Sequence, residues 1–402
     1  MESNTIFESF TGGFLTMRQY TLKRIGLFFP TVVLITIIVF LIMRLIPGDP
    51  ALAILAEGEA SFTQQDLVEL RQELGTDRPL DVQYFDWIAG PWFAGKLRCI
   101  YSFGTSCGHD QGWISVVEEI AEGDKRFLTK LTVGDAQLIK SGVQLGDRFK
   151  TDFPAKISGV VTGNFGDSFW FNSSVMVELK ERIPITAELT ILAMIISMVV
   201  AIPLGVISAI RPESWIDYSA RMFTMVGIAV PNFLVAILLI LFLIAVFDWM
   251  PPLGYKNLWE DPGTNLSQMI FPALTLGFYQ MAFIARVTRS SMMEVIREDY
   301  MRTARSKGLS EQVVLVRHGL KNAILPVLTI SGWQFARLFG GAVIIESIFM
   351  IPGMGRILID AMFQRDYIMI QAEIVIFGLA IVAINLVVDL LYGLLDPRIR
   401  YS

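Results

Sequence analysis

Apolar residues in this chain gather in long unbroken runs. They do not form the stripes of a soluble amphipathic helix or the alternation of a half-buried strand. Crossing a bilayer as a helix takes roughly 20 apolar residues, and six segments approach or exceed that length. Segments 25–43, 189–210 and 222–247 hold 19, 22 and 26 uncharged residues in a row. Segment 269–285 is shorter, at 17, and segments 323–345 and 374–395 are interrupted by Arg337 and Asp389. Lipid offers the backbone no hydrogen bonds, so these runs read as helices. The first run outlasts the ~7–15-residue core of a signal peptide, so it reads as a span although Ala51-Leu52-Ala53 follows it.

Composition agrees with the pattern. The chain has 402 residues, of which 53% are hydrophobic and only 18% charged, against about 25% charged in ordinary soluble domains. A net charge of -5 gives no basic excess for nucleic acid. Two cysteines and two histidines are too few for a zinc scaffold. The distribution of Lys and Arg orients the spans. Placing the N-terminus inside puts segments 1–24, 211–221, 286–322 and 396–402 in the cytoplasm, with 15 Lys and Arg over 79 residues. The short outer loops 248–268 and 346–373 then hold 3 over 49. That asymmetry predicts that both termini are cytoplasmic.

The connection after the first span is far longer than a turn requires. Within it, residues 62–87 read as helical, with Leu67, Leu70 and Leu74 at helical spacing, Gly75 as a stop and Pro79 beyond. Past Gly95 short apolar runs, 127–133 and 155–161, alternate with Gly-Asp turns, which predicts a small β-containing insert over 95–163. An irregular excursion packed on the spans is the plainer alternative. Cys99 and Cys107 both lie in this insert. In an extracytoplasmic, oxidising space a disulfide between them is the natural expectation, with two free thiols as the alternative.

No phosphate-loop sequence, zinc-protease helix, nucleophile elbow or dinucleotide fingerprint occurs. Gly353-Met354-Gly355 reads as a turn or span cap and not as a phosphate cradle. These absences favour a translocation pathway over an enzyme, with no metal and no cofactor held by this chain. The most informative stretch is 286–322. A basic helix over 290–307 should stop at Gly308, and Ser310 should cap a second helix over 311–320 that leads into the fifth span. Such ordered start and stop signals predict a docking surface for an inner-face partner.

At this point a family resemblance becomes specific. EDYMRTARSKGLSEQVVLVRHGLKNAILPVL at 298–328 resembles the cytoplasmic coupling loop of ABC-importer permeases of the oligopeptide/dipeptide (OppB/DppB) type, binding-protein-dependent inner membrane components. LIPGDPA at 45–51, LGTDRPLDVQY at 74–84, RIPITAELT at 182–190, IPLGVISAI at 202–210, IFMIPGMGRILIDAMFQRDY at 348–367 and NLVVDLLYGLLDPRIR at 385–400 follow in the family's order. The resemblance covers roughly 17–94 and 164–402. Residues 95–163 look like an insertion, and Met17 stands where family members would begin. The family's loop motif (Glu-Ala-Ala, three residues, Gly) falls on Arg302, Thr303, Ala304 and Gly308, so its acidic residue is missing.

The resemblance implies an all-α polytopic membrane protein with the type I ABC importer permease fold. It would have six transmembrane helices and an extracytoplasmic insert between helices 1 and 2. The implied layout is a cytoplasmic segment 1–24, a first helix 25–46, an outer region 47–185, and helices 2–6 over 186–402 with the coupling loop 286–322. It implies a pathway for peptides or similar small solutes in a bacterial or archaeal cytoplasmic membrane. Implied partners are a second permease of OppC/DppC type, two ATP-binding subunits that hold ATP and magnesium, and an extracytoplasmic substrate-binding protein. Tyr300, Arg302, Thr303, Ala304, Gly308 and Leu309 are the expected ATPase-coupling residues. Polar groups are costly inside lipid, so Asn232, Gln280, Gln334, Arg337, Glu346, Asn385 and Asp389 are candidates for the pathway or the permease–permease seam. A helical separation of nine residues, about 13.5 Å, keeps Arg337 and Glu346 from pairing. A secondary transporter or channel working without an ATPase is the rival function. A polytopic enzyme would need clustered catalytic groups, which the sequence lacks.

Overall fold

The computed structural model describes residues 3–45, 51–52, 55, 63–74, 76, 80–89, 159–168, 170–171, 173–250 and 254–395. The expected strand run 127–133, most of the insert 95–163, and Cys99 and Cys107 lie outside these residues.

The elements among the described residues are all helical. In chain order the helices are α1 (Ser3–Leu45), α2 (Gln64–Leu74), α3 (Leu80–Ala89), α4 (Val175–Ile210), α5 (Trp215–Ala229), α6 (Asn232–Phe247), α7 (Pro262–Ile296) and α8 (Asp299–Ser306). They continue with α9 (Glu311–Val313), α10 (Lys321–Phe349), α11 (Met354–Phe363) and α12 (Tyr367–Leu395). A π-helical turn, Val314–Leu320, joins α9 to α10. Five helices are long and apolar enough to cross a membrane, and a bent pair, α5 and α6, makes a sixth candidate.

Several expectations change. The helix expected over 62–87 is described as two helices, α2 and α3, with Thr76 between them in a turn. Thr63 and Asp66 close a capping box at the start of α2, each backbone N–H reaching the other's side chain at 2.7 and 3.3 Å. Among the described residues no strand forms. Residues 160–162, which overlap the end of the expected run 155–161, make a 3-10 turn that Gly163 ends at φ +74°, a left-handed angle suited to glycine. The 222–247 span is not one straight helix, because α5 and α6 meet at a bend of 108°. Proline pushes the preceding residue out of the helical region and lacks an N–H. Accordingly Val230 is extended (φ -87°, ψ 126°) and α6 restarts after Pro231. Fourth and fifth spans are longer than their apolar runs, since polar residues continue the helices beyond the lipid-like stretch.

The chain forms two compact units. The first comprises Met1–Thr36, Glu181–Asp360 and Glu373–Ser402. Its centre is α7, which packs on α4, α5, α6 and α10. Leu189, Met269, Leu276 and Ile345 are fully buried in that core. Small residues set the helix approach. A Cβ on Gly277 of α7 would lie 2.6 Å from Ser197 Oγ and 2.8 Å from the Ala193 carbonyl of α4. Ser197 donates its hydroxyl toward both the Ala193 carbonyl (2.6 Å) and the Gly277 carbonyl (3.0 Å), a packing device suited to helices that have no hydrophobic drive between them. The second unit comprises Ile37–Lys180 and Ala361–Ala372. In it Phe40 meets Tyr84 edge-on at 5.4 Å and Trp87 at 6.0 Å, and Arg44 donates to Gln83 Oε1 at 2.7 Å. Asp366 caps α12 through the Met369 N–H at 3.1 Å and accepts the Ser168 hydroxyl.

Candidate functional site

The segment 297–322 is built as a packed unit. The expected single helix over 290–307 breaks after Ile296, because Glu298 turns extended (φ -64°, ψ 147°) before α8 begins. On α8, Met301 and Ala304 point inward and pack with Val314 and Val295. Gly308 follows at φ +78° with open space where a Cβ would be, a left-handed stop of the kind expected. Ser310 occupies the cap position of α9, yet its side chain makes no capping hydrogen bond. The tie at that corner is ionic. Arg305 grips Glu311 with two hydrogen bonds of 3.2 and 3.0 Å, and this pairing raises the arginine's pKa and lowers the carboxylate's. Behind it, Gly319 in the π-helical turn lets Met292 and Met301 close in, since a Cβ there would meet their methyls at 2.9 and 3.2 Å. Asn322 at the start of α10 donates to the Tyr300 hydroxyl at 2.8 Å.

Of the six expected coupling residues, Tyr300, Arg302, Thr303, Gly308 and Leu309 are exposed, and Ala304 is buried inside the unit. The available surface is therefore a ridge of Tyr300, Arg302, Thr303, Gly308 and Leu309. Ala304 supports that ridge from beneath. Sequence spacing alone did not separate the two faces of so short a helix.

The polar residues expected inside the spans divide into distinct environments. Gln280 on α7 and Gln334 on α10 come together in the core, with Gln280 Nε2 donating to the Gln334 carbonyl at 3.3 Å. Gln280 Oε1 and both polar side-chain atoms of Gln334 are buried without a hydrogen bond among the described residues. Glu346 is fully buried. It accepts the Thr186 hydroxyl at 2.6 Å and the Gly355 and Arg356 N–H groups at 2.7 and 3.3 Å. Thr186 in turn accepts the Met354 N–H at 2.9 Å. The first three amides of α11, which no helix satisfies internally, are thus held by α4 and α10. Gly353 and Gly355 make this possible, because a Cβ on either would crowd the Glu346 carboxylate. Gly353-Met354-Gly355 is thereby a helix-capping turn. Arg337 is exposed, with its guanidinium 5.4 Å from the Trp333 ring. Asp389 pairs with Arg24 of α1 at 3.1 Å. Asn232 opens α6 and Asn385 lies on α12, both half-buried.

Besides Asp366, two buried carboxylates of the first unit escaped sequence reasoning. Glu373 on α12 is fully buried, its oxygens have no hydrogen bond among the described residues, and Glu346 and Arg182 are charged neighbours. Asp217 on α5 is also fully buried. It accepts from Arg289 Nε at 2.7 Å and Nη2 at 3.0 Å, from Arg221 Nη2 at 2.5 Å, and from Ser208 Oγ at 2.5 Å. Residues 72 positions apart meet in this cluster, and in the sequence both sit among ordinary loop charges. Among the described residues no group of three or more His, Cys, Asp or Glu has the arrangement of a metal site.

Comparison with known proteins adds to this geometry. A family model described as "Binding-protein-dependent transport system inner membrane component" matches residues 201–401. Its N-terminal companion, "Binding-prot-dependent transport system membrane comp, N-term", matches residues 17–110. A protein of Brucella abortus named as a peptide transport system permease is 34% identical over 386 residues, covering 96% of this chain and all of the relative. A protein of Sinorhizobium fredii named as a peptide ABC transporter permease is 34% identical over 385 residues, with the same coverage. The glutathione transport system permease protein GsiC of Salmonella typhi is 33% identical over 386 residues, again covering 96% of this chain and all of the relative.

Proposed function

This chain belongs to the family of binding-protein-dependent transport system inner membrane components, and we propose that it forms one half of the membrane pathway of an ATP-driven importer for peptides or similar small solutes. The observation that carries this reading is the 297–322 unit. Its exposed ridge, braced by Met301, Ala304 and the Arg305–Glu311 pair, suits a rigid lever on which an ATPase subunit docks. A lever must move as a body, and the buried packing of Met301 and Ala304 on Val314 ties α8 to the turn that leads into α10.

In this reading the chain itself hydrolyses nothing. ATP and magnesium belong to two partner ATPase subunits, and this sequence has no phosphate loop. A second permease completes the pathway, and an extracytoplasmic binding protein delivers the solute. ATP shifts the permease between inward- and outward-facing states only as far as the ATPases bind the two states differently. The ridge of Tyr300, Arg302, Thr303, Gly308 and Leu309 carries that difference to α7 and α10, which continue directly from the unit. At the α7–α10 contact the Gln280–Gln334 amides leave hydrogen-bonding capacity unused among the described residues. This is the natural place for the pathway to offer polar contacts as the helices part. Both termini are cytoplasmic in this reading, and Cys99 and Cys107 form a disulfide in an outer insert beside the docking protein.

The test is co-purification from native membranes followed by ATPase assay. Two nucleotide-binding chains and a second permease should accompany this one, and deletion of residues 302–309 should detach the ATPases while the spans stay inserted. Purification as a lone chain with solute transport driven by an ion gradient would sink the proposal and favour a secondary transporter.

A further inference from the structure

We propose that the cleft between α4, α5 and α7 is a binding site for an anionic phospholipid headgroup of the cytoplasmic leaflet. The cleft has a volume of about 510 Å³. One wall is apolar, with Leu204, Met225 and Ile228, and three guanidinium groups, from Arg221, Arg286 and Arg289, line the rest. The balance of charge is uneven. Asp217 supplies one negative charge to Arg221 and Arg289. Arg286 has no carboxylate partner among the described residues and stands over the Phe283 ring at 5.3 Å. Three arginines against one aspartate leave two uncompensated positive charges, and counting the exposed Glu213 near Arg221 still leaves one.

The arginines are also poised to donate. Arg221 Nε is buried without an acceptor among the described residues. Asp217, fixed by Ser208, the Glu213 N–H and Arg289, holds two of the guanidinium groups in place. A phosphodiester takes paired guanidinium donors well. The apolar wall offers the first methylenes of acyl chains a surface that a simple soluble anion would leave unused. That surface continues outward along α5, where Met222, Met225 and Val226 are all exposed. The Lys and Arg distribution places these arginines at the cytoplasmic end of the spans, where basic pockets between helices meet anionic headgroups. This site is separate from the 297–322 ridge and from the Gln280–Gln334 contact.

The test uses the full chain purified with its native partners, delipidated, and titrated with phosphatidylglycerol or phosphatidylcholine of identical acyl chains, with bound lipid counted by native mass spectrometry. Phosphatidylglycerol should bind in preference, and Arg286→Gln should weaken it by about fivefold, the effect of one basic residue near a headgroup. Arg286 lies outside the Asp217 network, so this variant keeps the fold, whereas Arg289→Gln would strand Asp217. Ala229→Trp, which fills the cleft without changing charge, should weaken binding as well, and Lys307→Gln should not. Equal binding of the two lipids, an unchanged Arg286→Gln variant, or displacement by millimolar inorganic phosphate would overturn the proposal. So would a cysteine placed at Ala229 that cross-links to a partner chain, since the cleft would then be a protein interface.

Discussion

Replacing Glu346 by alanine tests the capping network most sharply. The side chain accepts the Gly355 and Arg356 amides and the Thr186 hydroxyl in a site where Glu346 itself is fully buried. The alanine variant leaves two backbone donors at the start of α11 without a partner. Each orphaned buried group costs about 1–3 kcal/mol, so local destabilisation of roughly 2–6 kcal/mol is expected. Glutamine retains one acceptor oxygen but presents an amide where a carboxylate stood, and roughly 1–2 kcal/mol is the expected loss. Amide hydrogen exchange over 353–357, read by mass spectrometry in detergent or nanodiscs, measures this directly. At about 1.4 kcal/mol per factor of ten, a 2 kcal/mol loss speeds exchange by about 30-fold. The alanine variant should reach at least that, and Arg337→Gln, on the same helix but exposed, should leave exchange unchanged. Thr186→Val should add less than its own effect on top of Glu346→Ala, because the two share one network. Exchange in Glu346→Ala within twofold of the parent would refute the reasoning, since the carboxylate would then hold nothing that water does not.

Met301→Ala removes the fully buried side chain beneath the ridge. It should cost about 2–5 kcal/mol locally and lower the ATP hydrolysis coupled to transport more than it lowers assembly, as measured on the purified complex. Gly277→Leu puts a side chain where Ser197 and the Ala193 carbonyl already stand. It should collapse the yield of folded protein by size-exclusion chromatography, while Gly254→Ala, where no atom lies within 4 Å, should cost little beyond the strain of its φ of +80°. Mass spectrometry of non-reduced protein should find Cys99 and Cys107 linked, and free alkylation of both without reductant would count against an oxidising outer location.

The spans were legible because burial in lipid leaves a signal in every residue of a run. Segment 189–210 ends where α4 ends, at Ile210. The helix starts were not legible, because α7 begins at Pro262 and α4 at Val175 within sequence that is polar enough for a loop. Pro231 was visible, yet a proline inside an apolar run signals either a kink or a full bend, and only packing decides which. At the site, the stop at Gly308 could be read from one residue, since its left-handed φ is a local property. The inward turn of Ala304 could not, since it depends on Val314 across the turn. Asp217 with Arg289, and Glu346 with Thr186, are meetings of residues 72 and 160 positions apart, and no local pattern encodes them.

The central claim is that this chain carries solute through the membrane under control of ATPases docked on the 297–322 ridge. Uptake of a labelled peptide into proteoliposomes holding the co-purified complex measures it, with the binding protein outside and ATP inside. Uptake should require ATP and the binding protein, and should be lost on deletion of residues 302–309 while the chain stays in the membrane. Uptake that continues without ATP on an imposed ion gradient, or that survives the deletion at full rate, would contradict it.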